Sequence, residues 1–302
     1  MQSVAVLVVG YRRPDLLSNL LNLLLKARIA NVVVSIDADD LGSIDEKIKE
    51  LSKSKFPEFD WRFRKKNLGV GLHVPTAVGE VLKEFEACFV LEDDIIFSTE
   101  ALKSAIKLLQ RGLPLGCITI GLFGALPSSP LLKVFLGENR WRATEYFSAW
   151  AWGIDRSSWR KYELVLNETS IQSALANSNA WQRKKAASKG RWLRRFYKVS
   201  LSPNFAWDFQ MQFATYKHDG YHLLPIYRSA DNVGFGDARS TNTKLDKPRW
   251  YIGAGSEREI LHTDTLSVRT SKLLMCIDGI SWAGDNSMII AKSRFLSSLK
   301  KS

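Results

Sequence analysis

Short apolar runs that stop abruptly at acidic residues mark the first hundred residues of this chain. Residues 31–36 (NVVVSI) are followed by DADD at 37–40, and residues 88–91 (CFVL) lead directly into EDD at 92–94. The valine-rich run 3–10 (SVAVLVVG) precedes them and has the length of one strand. Continuous apolar runs of this length are typical of strands that are buried on both faces, as in parallel sheets.

Segments with helical periodicity separate the predicted strands. Pro14 fits the first turn of a helix, and residues 16–24 then repeat leucine at helical spacing. A second helix with one apolar face is predicted over 74–85. Strands that alternate with helices predict an α/β fold with a parallel sheet covered on both faces. Because ligands of such sheets bind beyond the carboxyl ends of the strands, we expect Asp37 and the acids at 92–94 to lie together in one ligand site at that edge of the sheet.

Composition and missing motifs exclude several classes of protein. The 302 residues, 45% of them apolar, suit a packed core and exclude a disordered or collagen-like chain. The three cysteines are far apart and show no zinc or redox spacing, which favours a reducing cytoplasm. The sequence contains no P-loop, G-x-G-x-x-G, G-x-S-x-G or H-E-x-x-H motif. No apolar run approaches the roughly 18 residues of a membrane span, so we expect a soluble or peripheral protein.

The second half of the chain carries fewer signals. A helix is predicted over 100–110, after which the sequence reads as rich in loops, and a last strand is predicted at 223–227. Without an internal repeat or a low-complexity linker, we expect one domain over 1–243. Its nucleotide-binding half would be 1–100 and its acceptor half 101–243, and 244–302 would be a C-terminal extension of unknown role.

Two segments account for the net charge of +12. Residues 183–198 hold eight basic side chains and residues 292–302 hold four, with no acid in either. No nucleic-acid-binding module is recognisable, so we expect no nucleic-acid partner. Aromatic residues among the charges of 183–198 suit peripheral contact with an anionic membrane or glycan. The alternative is a solvated helix face.

An ordered set of motifs resembles bacterial glycosyltransferases of the GT-A fold. It runs from about residue 3 to 243 and reads VAVLVVGYRRP, SIDADD, KKNLGVG, FVLEDDIIFS, FSAWAWGIDRSSW, WDFQMQF and DNVGFGDARSTNT. The chain is also similar, more distantly, to Golgi N-acetylglucosaminyltransferases that carry a Glu-Asp-Asp form of the Asp-x-Asp motif. The resemblance implies a GT-A (Rossmann-like) three-layer sandwich with a mainly parallel central sheet. It also implies a hexosyl- or N-acetylhexosaminyl-transferase of polysaccharide biosynthesis.

The resemblance further implies roles for the residues at matching positions. Asp37 looks like the acid that hydrogen-bonds the uracil edge, which favours a UDP-sugar over a GDP-sugar. Asp94 would coordinate Mn²⁺ or Mg²⁺ that bridges the two phosphates. Such hard cations are held by one or two carboxylates together with phosphate oxygens. Donor-binding roles fall on Gly10, Tyr11, Arg12, Asn67, His73, Glu92 and Asp93.

Asp208 is the predicted catalytic base. In an inverting transfer, one carboxylate takes the proton from the acceptor hydroxyl as that hydroxyl attacks the anomeric carbon. The alternative role for Asp208 is a cap on the helix that follows Trp207. Indole rings stack on the apolar faces of sugars, so Trp207 is predicted to contact the acceptor, and a place in the core is its alternative.

Two other functions compete with a glycosyltransferase acting on a glycan or glycolipid. A sugar-1-phosphate nucleotidyltransferase shares the sheet and the metal, but it normally has a glycine-rich loop with a basic residue after the first strand. Residues 10–14 (GYRRP) do not supply that loop. A non-catalytic module that binds glycans or anionic surfaces would lack transfer with any donor, and its binding would collapse in salt.

Overall fold

The computed structural model describes residues 1–124 and 141–239. The predicted extension 244–302, the basic segment 292–302 and the last residues of the DNVGFGDARSTNT motif lie outside these ranges. The helices are α1 (Pro14–Lys26), α2 (Glu46–Glu50), α3 (Val70–Glu84), α4 (Thr99–Arg111), α5 (Arg156–Trp159), α6 (Ile171–Ala176), α7 (Asn179–Gln182), α8 (Ala186–Leu201) and α9 (Asp208–Lys217). The strands are β1 (Val4–Gly10), β2 (Val32–Ile36), β3 (Asp60–Phe63), β4 (Ala87–Glu92), β5 (Ile95–Phe97), β6 (Cys117–Gly121), β7 (Trp141–Thr144), β8 (Trp152–Asp155), β9 (Tyr221–Pro225) and β10 (Ala230–Asn232).

Eight of these strands form one central sheet in the order β3-β2-β1-β4-β8-β6-β9-β7. β1 pairs in parallel with both β2 and β4, and β2 with β3. β8 is antiparallel to its neighbours β4 and β6, and β7 is antiparallel to β9. Six strands therefore share one direction and two oppose it, which confirms the predicted mainly parallel α/β sheet.

Helices cover both faces of the sheet. On one face, Val4, Val6 and Val8 of β1 pack with the leucines of α1 and with the apolar side of α4. On the other face, alternate β1 residues such as Leu7 pack with Val78 and its neighbours in α3. This three-layer arrangement explains why the run 3–10 is apolar at almost every position.

The sequence interpretation of 147–153 as part of a loop-rich region is wrong at its end. Trp152–Asp155 is β8, which enters the middle of the sheet between β4 and β6. Gly153 is required there, since a Cβ at this position would lie 2.7 Å from Leu109 and 2.8 Å from Phe89. Strands β6 and β7 were also not predicted. Their backbone partners come from distant parts of the chain, so local periodicity gave little signal for them.

A third core lies among α6–α9 and includes aromatic residues of the basic segment 183–198. Trp192 is 3% exposed and Phe196 is fully buried, against Phe213 and Tyr216 of α9. The aromatic residues that suggested a membrane interface therefore stabilise this core instead. Among the residues that the structure describes, no helix is long and apolar enough to cross a membrane.

Candidate active site

A cavity of about 780 Å³ opens beyond the carboxyl ends of β1, β2 and β4. These strands are parallel neighbours, so the residues that follow them meet at one edge of the sheet. All eleven residues singled out from the sequence line this cavity, which brings together Gly10, Tyr11, Arg12, Asp37, Asn67, His73, Glu92, Asp93, Asp94, Trp207 and Asp208.

The acidic turn, residues 92–94, lies between β4 and β5 at the floor of the cavity. Asp93 and Asp94 are each only 3% exposed. The small sheet of β5 and β10 fixes the turn from the other side, where Asn232 Nδ2 donates to Asp94 Oδ1 over 3.2 Å. The backbone N–H of Val233 donates to the Asp94 carbonyl over 2.9 Å. The end of the described chain therefore holds the acidic turn in place.

Arg13 is a cavity residue that the sequence analysis did not select. Its guanidinium donates from Nη1 to Asp94 Oδ2 over 2.8 Å and from Nη2 to Asp93 Oδ1. The side chain is only 12% exposed. The neighbouring Arg12 side chain is 48% exposed and points to Asp40 instead. No sequence pattern indicates which of the two adjacent arginines faces the acids.

Negative charge exceeds positive charge at the acidic turn. Burial, followed by the charges of Asp94 and Asp93, raises the pKa of Glu92 to about 8. Burial also raises the pKa of Asp93 to about 6, although Arg13 opposes this shift. Arg13 bonds to Asp93 and Asp94 and is, within the described part of the chain, the one guanidinium in the field of all three acids, so the site favours an additional cation.

The donor atoms of the turn fit a hard divalent cation. Asp93 and Asp94 direct carboxylate oxygens at the same guanidinium, so both already face a common position of positive charge. Within 1–124 and 141–239, no three His, Cys, Asp or Glu side chains form a preformed metal cage. Mg²⁺ and Mn²⁺ do not require one when a substrate diphosphate supplies the remaining oxygens.

Asp37 anchors a turn on the wall of the cavity. Its carboxylate accepts hydrogen bonds from the backbone N–H groups of Leu68, at 3.0 Å, and of Gly69, at 2.9 Å. Burial raises the pKa of Asp37 while these backbone donors oppose the shift. The structure therefore gives Asp37 a clear role in holding residues 67–69 beside the cavity.

Polar and aromatic groups converge around Tyr11 at one end of the cavity. The Arg12 guanidinium lies 4.7 Å from the centre of the Tyr11 ring. Asn67 Nδ2 donates to Asp40 Oδ1 over 2.6 Å and lies 3.4 Å from the Tyr11 hydroxyl. Asp40 was not among the predicted site residues. Together these four side chains offer a ring face and hydrogen-bonding groups to a ligand.

His73 is a buried, neutral group in the wall of the cavity. Its Nε2 shares a hydrogen bond of 2.8 Å with Ser35 Oγ, which also accepts from Arg64 over 3.0 Å. Burial lowers the pKa of His73 to about 3, and the charge of Arg64 adds to this effect. The imidazole is therefore uncharged at neutral pH and ties α3 to β2.

Asp208 begins α9 on the side of the cavity that Trp207 lines. Burial raises the pKa of Asp208, while the backbone N–H groups at the helix start and the charge of Arg195 oppose the shift. The charge of Asp208 in turn contributes to the raised pKa of Glu92, which places the two carboxyl groups within electrostatic reach of each other. Trp207 is the N-cap of α9 and Asp208 is the first residue of the helix, where the helix dipole favours a negative charge.

Trp207 belongs to the core and also lines the cavity. It is 3% exposed and stacks on Trp152 with ring centres 5.0 Å apart. Phe147 packs edge-on against both indoles, at 5.4 Å from Trp207. This packing connects β8, the neighbour of the strand that carries the acids, to the start of α9. The spacing between the acidic turn and Asp208 is therefore set by the core.

Arg239 lies at the rim of the cavity, where residues 233–239 return to α1. Its guanidinium pairs with Asp15 at 2.6 Å and with Asp237 at 2.8 Å. Gly234 passes close to the acidic turn, because a Cβ there would lie 2.2 Å from Asp94 Oδ2. The glycine-rich loop after β10 thus contacts the acids directly.

No protein-family model matches the sequence, and no curated protein matches it. Solved structures similar to this chain include glycosyltransferases. TarS 1–349 of S. aureus is 14% identical with a TM-score of 0.40, and the match covers 74% of this chain and 57% of TarS 1–349. The mannosyltransferase PcManGT of Pyrobaculum calidifontis is also 14% identical with a TM-score of 0.39, over 72% of this chain and 70% of its own.

GalNAc-T7, solved with UDP, GalNAc and Mn²⁺, is 11% identical with a TM-score of 0.45. The match covers 86% of this chain and 47% of GalNAc-T7. Glycosyltransferases are therefore among the structures that this chain resembles, as the sequence motifs predict. The likeness is distant.

Proposed function

We propose that the protein is a metal-dependent glycosyltransferase that moves a sugar from a nucleotide diphosphate sugar to a hydroxyl of a glycan or glycolipid. The observation that carries this proposal is the placement of the acidic turn and Asp208 on the walls of one cavity. A sugar transfer needs a site for the anionic leaving group and a base for the attacking hydroxyl. The cavity offers residues for both.

The donor would occupy the side of the cavity nearest β1. Tyr11 and Arg12 would line the nucleoside, with Asn67 and Asp40 as polar partners. Asp37 would position the uracil base of the nucleotide through the turn at residues 67–69 that it holds. UDP is the nucleotide that we propose. Gly10 would line the donor side at the end of β1, where a Cβ would lie 3.0 Å from Ile36 and 3.6 Å from Asp93 Oδ2, so a side chain here would crowd the protein itself.

The acidic turn would hold the cation, with Asp94 as its ligand and with Glu92 and Asp93 towards the ribose and sugar. When bound, Mn²⁺ or Mg²⁺ supplies Lewis-acid stabilisation of the charge that develops on the leaving phosphate. Asp93 and Asp94 orient their oxygens through bonds to Arg13 and Asn232. These bonds hold both carboxylates in position before the donor arrives.

Asp208 would accept the proton of the acceptor hydroxyl, and the reaction would invert the anomeric carbon. Burial raises the pKa of Asp208, which makes it a stronger base than an exposed aspartate. The Trp207–Trp152 stack fixes the backbone from which Asp208 projects. General-base assistance of this kind contributes about 10²- to 10⁴-fold in rate.

The acceptor side also offers a surface for an anionic membrane, and we propose peripheral contact there, at the inner face in the cytoplasm. Leu201 is 72% exposed and Phe205 is 46% exposed, six and two positions before Trp207 in the chain. Lys198 Nζ lies 3.4 Å from the centre of the Phe205 ring. Apolar side chains beside lysine and arginine are typical of interfacial helices. This surface would present the cavity to a lipid-linked acceptor.

Titration of UDP and of GDP by calorimetry, with Mn²⁺ and with EDTA, tests the proposal. We expect UDP to bind with Mn²⁺ and to lose binding in EDTA. Asp94→Asn should fold normally and lose the metal-dependent part, because it removes one of the carboxylate charges that face the cation. Asp60→Asn, on the exposed edge strand β3, is the matched control and should bind as the wild type does.

Each other outcome has a definite meaning. Absence of binding by any nucleotide to the folded protein would refute the transferase and leave the glycan-binding module. Release of pyrophosphate from a nucleoside triphosphate and a sugar 1-phosphate would identify a nucleotidyltransferase. Unchanged UDP affinity in Asp94→Asn would remove Asp94 from the metal site.

A further inference from the structure

We propose that Arg13 is an internal counterion that the divalent cation must displace, so that cation and nucleotide diphosphate bind cooperatively. This inference rests on the proposed function, because it assumes that the acidic turn is the cation site. It concerns a residue to which the sequence motifs assign no role. The supporting observations are the contacts of Arg13, its burial and the position of its loop.

Arg13 occupies the place where positive charge is needed at the acidic turn. Its two terminal nitrogens bridge Asp93 and Asp94, and Asp94 Oδ2 accepts one of these bonds. The other Asp94 oxygen, Oδ1, accepts from Asn232. Both oxygens of the predicted metal ligand are therefore engaged by the protein. A cation that binds Asp94 must weaken the contact with Arg13 or with Asn232.

Arg13 is the partner that can be released. Asn232 is 1% exposed and is held on β10, which pairs with β5 beside the turn. Arg13 instead belongs to the short loop between β1 and α1 and lies on the cavity wall. An arginine side chain has several rotatable bonds, so it can swing while its backbone stays fixed. Cation entry therefore shifts Arg13 rather than β10.

The displaced guanidinium needs a new anionic partner. The side chain of Arg13 is 12% exposed, so without a partner it would leave a largely buried charge uncompensated. A diphosphate in the cavity would provide oxygens that arginine binds in a bidentate manner. Cation binding is consequently opposed in the empty protein and favoured once the diphosphate is present. By thermodynamic reciprocity, the diphosphate is also bound more tightly once the cation is present.

Binding of Mn²⁺ alone, followed by electron paramagnetic resonance of the free ion, tests this exchange without any turnover. We compare the wild type, Arg13→Gln and the control Arg239→Gln, which removes a charge at the rim of the cavity that pairs with Asp15 and Asp237 instead of the acidic turn. Arg13→Gln should bind Mn²⁺ alone about fivefold or more tightly than the wild type. Arg239→Gln should change this affinity much less. The increase in Mn²⁺ affinity on adding UDP, about 5- to 150-fold for coupled sites, should shrink in Arg13→Gln only.

Thermal melting provides a second measurement and shows whether Arg13→Gln is folded. In EDTA, Arg13→Gln should melt below the wild type because Asp93 and Asp94 lose their counterion, and Mn²⁺ should restore it more than it raises the wild type. If Arg13→Gln does not fold in either condition, Arg13→Lys replaces it, because lysine retains the charge but cannot bridge two carboxylates as a guanidinium does. It should then bind Mn²⁺ alone more tightly than the wild type.

The outcomes separate this inference from the proposed function. Equal or weaker Mn²⁺ affinity in Arg13→Gln, with clear binding by the wild type, overturns the exchange and leaves the metal site intact. For a variant that does not fold, wild-type affinity in Arg13→Lys overturns it in the same way. Absence of Mn²⁺ binding in every variant, with and without UDP, overturns the metal site and therefore both proposals.

Discussion

Gly234→Ala tests the contact between the loop after β10 and the acidic turn. An alanine Cβ would lie 2.2 Å from Asp94 Oδ2 and 2.9 Å from Arg13 Nη1. Gly234 is not among the glycines with positive φ, so alanine brings only this contact and no backbone strain. Carbon and oxygen need about 3.5 Å, so the loop and the carboxylate must separate by about 1 Å.

The expected cost follows from what this separation disturbs. Asp94 is buried and bonded on both sides, so it has no free direction in which to rotate. Overpacking of this kind costs about 1–3 kcal/mol of unfolding free energy, and the midpoint falls by about 2–4 °C per kcal/mol. Urea unfolding in EDTA measures the cost, and calorimetry with UDP and Mn²⁺ should show weaker binding.

Gly190→Ala is a control that should change the free energy of unfolding in the opposite direction. Gly190 lies inside α8, and a Cβ there meets nothing within 4 Å. Removing a glycine from a helix interior should stabilise the protein by about 0.8–1 kcal/mol. If Gly234→Ala unfolds at the wild-type urea concentration and binds UDP with Mn²⁺ normally, the close approach of this loop to Asp94 is refuted.

Two further predictions concern the base and the basic segment. Asp208→Asn should keep UDP binding and lose about a hundredfold or more in transfer, and wild-type transfer should fall as pH decreases through the raised pKa of Asp208. Because the pKa of Asp208 is raised in the folded state, its charged form opposes folding above the unfolded pKa, and Asp208→Asn should be more stable than the wild type at pH 7. Normal transfer by Asp208→Asn would show that another residue is the base. Arg194 and Lys198 are both exposed on α8, and neutralising them should reduce the protein's sedimentation with anionic liposomes more than with neutral ones. Unchanged sedimentation would mean that residues 183–198 form only a solvent-exposed helix face.

The sequence predicted best what depends on short stretches of chain. The apolar run 3–10, the leucine repeat of α1 and the acids at 92–94 are local patterns, and parallel pairing then requires the strand ends to meet. The helix predicted over 100–110 is α4, and Ser98 caps it by accepting a hydrogen bond from the backbone N–H of Ala101. These features fixed the fold class and the edge at which the cavity lies.

Features that depend on distant partners were beyond the sequence pattern. Arg13, the residue directly before α1, faces the acids, whereas Arg12 does not. The residues next to these two arginines do not indicate which of them does so. Trp192 looks like an interfacial residue beside so many charges, yet it is buried because α9 supplies aromatic partners. The roles of the cavity residues in binding and catalysis stay predictions that the experiments above address.

The bond between Asn232 and Asp94 joins residues that are 138 positions apart in the chain. At about 5–20 residues per second, a ribosome would emit the acidic turn roughly 7–28 s before the strand that braces it. Arg13 precedes the acids in synthesis and is available to them at once, whereas Asn232 is not. During biosynthesis the turn would therefore depend on its arginine alone, and the site would be completed among the last steps of folding.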